Sequence, residues 1–361
     1  LEPGTFFSPD YATARGRFVA SARAAGATLA SLPLGATGPD SEKLSIDVAR
    51  LGSPDATRVL LHTGGLHGVE GYAGSAVQLA ALERAPVVPP GCAMVLVHAL
   101  NPYGMAWLRR ANENNVDLNR NFLPAGERWA GAPALYSRLD PLLNPPTPPV
   151  PDCFRWRLAA LALRHGPRAL KQAIAGGQYE FPRGLFFGGR MLEPGPRLYL
   201  DFLRQSLARA EYLLALDLHT GLGPRGGATL ILEAGVGTTP MDELARGLGA
   251  RLVDPAAGRA AYRIRGGMGG ALPAALPRAR IDFLLQEIGT RPARAVLTAL
   301  REENRCHHHG GGITHPAKQA LFEAFCPAAP VWRRQAVEKG SRLLHAAAAW
   351  AFGRGEHARS R

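Results

Sequence analysis

The sequence predicts a single α/β domain, and three observations carry that expectation. Two apolar runs, Arg58-Val-Leu-Leu-His62 and Ala93-Met-Val-Leu-Val-His98, read as buried strands on either side of a glycine-rich loop and a helix-spaced segment, which makes a β-α-β unit. Further apolar runs at 212–218, 229–233 and 281–287 end at polar residues, where sites assemble at the carboxyl ends of strands in open α/β sheets. Finally, 361 residues that are 46% hydrophobic and 20% charged can bury a sizeable core and are too apolar for general disorder.

In chain order, the loop 63–71 carries Gly64, Gly65, Gly68 and Gly71, and Tyr72–Arg84 follows with helical spacing. The segment 140–152 holds Pro141, Pro145, Pro146, Pro148, Pro149 and Pro151, so it is expected to be an exposed insert with neither regular helix nor central strand. Residues 354–361 read as a short basic tail. No apolar run reaches the roughly 20 residues needed to span a bilayer. No secretory signal is legible at the start, so a cytoplasmic location and no membrane partner are expected. Cys92, Cys153, Cys306 and Cys326 are widely spaced, as reduced thiols would be.

A formal charge of +13 invites a nucleic-acid reading, but only four of the 42 basic residues are lysine and the arginines are scattered without an aromatic-interleaved stripe. No nucleic-acid partner is expected, whereas an anionic substrate suits the charge.

The strongest local signal is His67-Gly-Val-Glu70, an imidazole and a carboxylate three positions apart where a loop turns into a helix, so that both can face one cation. His219, at the end of the run Leu216-Asp-Leu-His, offers a third donor; two histidines and a glutamate with an open fourth position suit catalytic zinc. Asp217 is a candidate acceptor behind His219. Asn101-Pro-Tyr-Gly104 is a turn after the second strand, followed by Arg109-Arg110 and by Asp117-Leu-Asn-Arg-Asn-Phe122. Asn119 and Arg120 can present an amide and a planar guanidinium fork to a carboxylate, and Arg110 offers a cation for developing oxyanion charge. Asp117 and Arg120 forming a local ion pair is the plainer alternative. Glu287 ends an apolar strand just before Gly289, where partial burial can tune its basicity.

The order of these motifs resembles the zinc carboxypeptidase superfamily of carboxypeptidase A-like metallopeptidases, over Gly64–Thr290. The phrases Leu66-His-Gly-Val-Glu-Gly, Leu118-Asn-Arg-Asn-Phe and Asp217-Leu-His-Thr-Gly-Leu-Gly are similar to a bacterial branch carrying a domain of unknown function. The resemblance implies an α/β/α sandwich with a mixed, mostly parallel central sheet and one zinc ion held by His67, Glu70 and His219. It further implies carboxylate binding by Asn119 and Arg120, carbonyl polarisation by Arg110, and Glu287 as general base. Tyr262 falls where the superfamily places a mobile substrate-contacting tyrosine, though no local motif marks it; Arg109 competes with Arg110 for the oxyanion role.

The expected function is hydrolysis of an amide bond next to a free carboxylate, in a small peptide or an acylated amino acid. A carboxypeptidase-like metallopeptidase is the first expectation; the alternatives are an N-acyl amino acid deacylase of the aspartoacylase/succinylglutamate desuccinylase type and a non-catalytic zinc-containing binder. Two other features invite chemistry. The run His307-His-His309 could bind a second metal, but it points in divergent directions on any regular backbone and is expected to be a loop or helix-end cluster near the active site; Gly266-Gly-Met-Gly-Gly270 lacks the lysine of a phosphate loop and is expected to be a flexible specificity loop. Ser75, Cys92 and Cys153 lack the surroundings of a nucleophile.

Overall fold

The computed structural model describes residues 3–232, 236–253 and 263–353. Among them are strands β1 (Thr28–Thr37), β2 (Lys43–Gly52), β3 (Arg58–Gly64), β4 (Cys92–His98), β5 (Tyr212–Gly221), β6 (Ala228–Leu232), β7 (Leu252–Val253) and β8 (Arg280–Gly289). The helices are α1 (Tyr11–Ala24), α2 (Gly71–Glu83), α3 (Pro102–Ala106), α4 (Ala134–Leu143), α5 (Phe154–His165), α6 (Pro167–Ala175), α7 (Pro194–Ser206), α8 (Met241–Leu248), α9 (Leu272–Ala275), α10 (Ala293–His308), α11 (Pro316–Phe325) and α12 (Pro330–Gly353).

The strands form one mixed sheet in the order β1-β2-β4-β3-β5-β8-β6-β7. The central strands β4, β3, β5 and β8 run parallel, while β1–β2, β2–β4 and β6–β8 pair antiparallel. Burial on both faces explains the near-continuous apolar runs of the central strands. Their residues alternate between two cores: Val59, Leu61, Val95, Leu213 and Phe283 pack toward α7 and α9, and Leu60, Met94, Leu96, Leu214 and Leu284 toward α1, α2 and α12. The result is the expected α/β/α sandwich.

The β3-α2-β4 unit lies where the sequence puts it. Its closeness depends on glycine: a Cβ on Gly74 of α2 would come within 3.0 Å of the Gly64 Cα at the end of β3. That contact seats the first turn of α2 against the strand end and makes the intervening loop short. The hairpin β1–β2 carries a weak sequence signal, because β1 contains Pro33 and Gly35, which strands disfavour, although its burial alternates from Ala30 to Thr37.

The proline-rich stretch departs from expectation at its start. Residues 140–143 complete α4, with Pro141 inside the helix. Pro141 costs that helix a single backbone donor close to its end, and buried Tyr136, Leu139 and Leu143 hold the helix against Phe154, Leu170 and Ile174. Beyond it, two arginines of α10 gather the stretch. Arg305 donates to the carbonyls of Thr147 (3.0 Å) and Pro148 (2.6 Å), and Arg301 to Leu142 O (2.8 Å) and Asp152 (2.6 Å). Prolines leave carbonyls without neighbouring N–H groups, and guanidinium forks supply the missing donors. The four cysteines are free thiols. Among the described residues no helix is long and apolar enough to cross a membrane. The tail 354–361 lies outside the described residues.

Candidate metal centre and its surroundings

Three adjacent parallel strands, β3, β5 and β8, deliver the site at their carboxyl ends. β3 leads through Gly65 into His67, and Glu70 closes a short 3-10 turn before α2. Gly68 between them is required sterically, since a Cβ there would lie 2.2 Å from the Arg109 carbonyl oxygen. The strand β5 continues through His219 to Gly221, beyond its apolar run, because parallel pairing with β8 carries on through His219–Glu287 and Gly221–Gly289. In register on parallel strands, His219 and Glu287 share a face of the sheet.

His67, Glu70 and His219 are buried and their donor atoms lie within 4.8 Å of one another. The Nδ1 atoms of the two imidazoles face each other at 3.0 Å, with Glu70 Oε1 3.2 Å from His67 Nδ1 and Oε2 3.7 Å from His219 Nδ1. A tetrahedral zinc shell with bonds of about 2.0–2.2 Å sets its ligand atoms about 3.3–3.6 Å apart, so the three separations bracket what one ion requires. Both imidazoles also turn their Nε2 to a carboxylate. His67 Nε2 is 3.1 Å from Asp117 Oδ1, and His219 Nε2 meets Asp217, itself held by the Thr63 hydroxyl at 2.6 Å. A carboxylate behind each metal-facing histidine fixes tautomer and orientation. The donor set and its geometry therefore fit zinc.

Arg110 lies against this group, donating from Nη1 to Glu70 (2.9 Å) and from Nε to Asp117 (3.2 Å), with its Nη2 packed 2.9 Å from His67 Nε2. Arg109 points elsewhere: it is 1% exposed and donates to Glu303 (2.9 Å) and Asn115 (2.7 Å), with Glu303 also accepting from Lys318 (2.6 Å). Asn101 braces the pair, its side chain accepting from Gly104 N and donating to the Arg110 carbonyl. Asp117 thus serves His67 and Arg110 more closely than Arg120, which approaches it only to 4.0 Å.

Arg120 is buried and donates from Nε and Nη2 to the Ala175 carbonyl at the end of α6 (3.2 and 2.6 Å) and from Nη1 to its neighbour Asn119 (2.8 Å). Asn119 Oδ1 accepts from Met268 N at 3.2 Å, and the Gly266 carbonyl accepts from Phe122 N at 2.9 Å. The glycine-rich segment is accordingly seated on residues 119–122, and a Cβ on Gly266 would strike the Arg120 carbonyl oxygen at 2.4 Å; the expected flexible loop is a buttress here. Phe186 had no sequence signal. Its ring lies 5.7 Å from the Arg110 guanidinium and 5.8 Å from that of Arg120, on a backbone of φ 57° that a bulky residue rarely adopts.

The electrostatics follow from these contacts. Burial pushes Glu70 up, but His67 and Arg110 together hold it below the ordinary carboxylate value. Burial likewise opposes ionisation of Asp117, and Arg110, Arg120 and His67 overcome it to keep that carboxyl well below normal. Desolvation would depress His219, yet the charge of Asp217 raises it to about 9. Glu287 goes the other way: burial raises it, outweighing the charge of His219 and a long contact from Leu222 N (3.4 Å) to its Oε2.

The remaining candidates lie apart. His307 and His308 end α10 and His309 caps it, outside the metal-facing group. Burial, with Arg109 and Lys318 nearby, drives His307 down to about 2. Ser75 does neighbour a histidine, 3.1 Å from His98 Nε2, but the pair is buried between α2, which carries Ser75, and the end of β4, where His98 stacks on Phe18 apart from the metal-facing group. Tyr262 lies outside the described residues.

A family model described as a protein of unknown function, DUF2817, matches residues 7–339. The chain belongs to that family. No curated protein matches this DUF2817 chain at the sequence level. Among solved structures it is similar to carboxypeptidase A of Helicoverpa armigera, at 14% identity over 96% of this chain and 74% of that one, with a TM-score of 0.56. Weaker likenesses include bovine thrombin-activatable fibrinolysis inhibitor (11% identity, 92% and 97% coverage, TM-score 0.45) and murein-tripeptide amidase MpaA of Escherichia coli O157 (15% identity, 77% and 91%, TM-score 0.37). The fold of this DUF2817 member is that of the carboxypeptidases.

Proposed function

We propose that the chain is a zinc-dependent hydrolase that cleaves an amide bond next to a free carboxylate. The supporting observation is the pair of metal-facing Nδ1 atoms on His67 and His219, each backed by its own carboxylate, with Glu70 closing the triangle. Zinc held by these three residues supplies a Lewis acid that lowers the pKa of water and polarises a carbonyl.

The chain's own residues account for the rest. Glu287, on the same sheet face as His219, takes the proton of the attacking water on its carboxylate and passes it to the leaving nitrogen; the burial that raises its pKa makes it a better base than an exposed glutamate. Arg110 keeps 14% of its side chain open beside the metal-facing group and stabilises the oxyanion as charge develops. Asn119 and Arg120 receive the substrate carboxylate, Arg120 exchanging the Ala175 carbonyl for a fully charged acceptor, which forms the stronger bond. Tyr262 is a substrate-contact candidate on the strength of its sequence position alone.

A carboxypeptidase-like activity on small peptides is the first reading, and removal of an acyl group from an amino acid is the second, since the same donor set and arginine floor serve both. The deciding experiment is to load the protein with zinc and compare dipeptides bearing a free carboxyl terminus with N-acyl amino acids. Turnover of dipeptides supports the first, turnover of acyl amino acids alone the second, and failure on both removes the hydrolase reading.

A further inference from the structure

The geometry points to α5 as a helix that lies on an anionic phospholipid surface. At 100° per residue, Trp156, Ala159, Ala160 and Leu163 fall on one stripe of α5, at the i, i+3, i+4, i+7 spacing normally used to face a core. Here that stripe faces outward. Trp156 is 81% exposed and Leu163 89% exposed, while the inward side is met by buried Phe154 with Leu158 and Leu161. The helix therefore has two apolar faces, and among the described residues only one of them is used by the fold.

What flanks the outer stripe identifies its occupant. Arg155 borders one side and Arg157 and Arg164 the other, all exposed, and Arg168 follows in α6. Neither α5 nor α6 contains an aspartate or glutamate. The nearest acid before α5, Asp152, is already paired with Arg301. An apolar centre with cations on both flanks matches a surface whose acyl chains lie below and whose phosphates lie level with the arginine heads, which can snorkel outward. A tryptophan at the centre suits the boundary between headgroups and chains. Absence of a spanning segment says nothing against this mode, because an interfacial helix lies in the plane of the surface. The inference is independent of the hydrolase reading, as neither Trp156 nor Leu163 belongs to the metal centre or its surroundings.

The test is co-sedimentation of the full chain with vesicles of equimolar phosphatidylcholine and phosphatidylglycerol, against vesicles of phosphatidylcholine alone. Binding to the anionic vesicles is expected, weakening as salt rises. Both Trp156→Ser/Leu163→Ser and Arg155→Glu/Arg157→Glu/Arg164→Glu should bind about tenfold more weakly or worse. Circular dichroism should be unchanged, since every altered side chain is exposed. Equal sedimentation with both vesicle types, or wild-type binding by both variants, overturns the proposal. So does a dimer in sedimentation velocity that Trp156→Ser/Leu163→Ser dissolves, which would assign the stripe to a second copy of the chain.

Discussion

Glu287 and His219 are direct partners in the parallel register of β5 and β8, so a carboxylate and a metal-facing imidazole project side by side from the same face of the sheet. Replacing Glu287 by glutamine keeps the size and removes the base. The expected outcome is a fall in kcat of about 10²–10⁴-fold with zinc content unchanged, read by metal analysis beside steady-state kinetics. Equal turnover would remove Glu287 from the chemistry.

His219→Ala should lose bound zinc, and Asp217→Asn should weaken zinc binding about 10–100-fold by releasing the orientation of that imidazole. Competition with a chelator gives both affinities. Unchanged stoichiometry in His219→Ala would show that the three donors do not share an ion.

The adjacent arginines should separate cleanly. Arg109→Ala leaves Lys318 as the remaining cation on buried Glu303 and strips a donor from Asn115, so it should cost about 1–3 kcal/mol of stability, measured by urea denaturation. Arg110→Lys keeps the charge but loses the planar fork, so it should melt near wild type while kcat/KM drops by about tenfold or more, each tenfold being about 1.4 kcal/mol. Reversed phenotypes would exchange the two roles.

Stability should fall in mild acid because of two buried histidines that are not part of the metal-facing group. Burial lowers both His62 and His98 to about 4 from an ordinary 6.5. Between those values the unfolded chain binds protons that the folded one refuses, so their contribution is complete above pH 6.5 and drains away as pH falls toward 4. Each depression amounts to roughly 3 kcal/mol across that window. Chemical denaturation from pH 7.5 down to 4.5 checks the slope, which His98→Asn should flatten.

Legibility divides along physical lines. The strands β3, β4, β5 and β8 are readable because burial on both faces forces continuous apolar runs, and the β3-α2 loop because its glycines are sterically required. The extension of β5 through Thr220 is not, since pairing with β8, and not local preference, makes those residues a strand. Proline at position 141 reads as a helix breaker, yet packing of Tyr136 and Leu143 outweighs one lost backbone bond. At the site, residue types and their order name His67, Glu70, His219 and Glu287. Which of Arg109 and Arg110 faces them depends on Glu303, nearly 200 positions away, and Phe186 is marked only by a backbone angle.

The helix α10 presents Arg301 and Arg305 to the proline-rich stretch, while Glu303, two residues along and so on the opposite side, grips Arg109 next to Arg110. One helix thus touches both the proline-rich stretch and the residue next to Arg110. The seat of α10 therefore bears on two places at once: the anchoring of residues 142–152 and, through Glu303 and Arg109, the backbone that leads into Arg110.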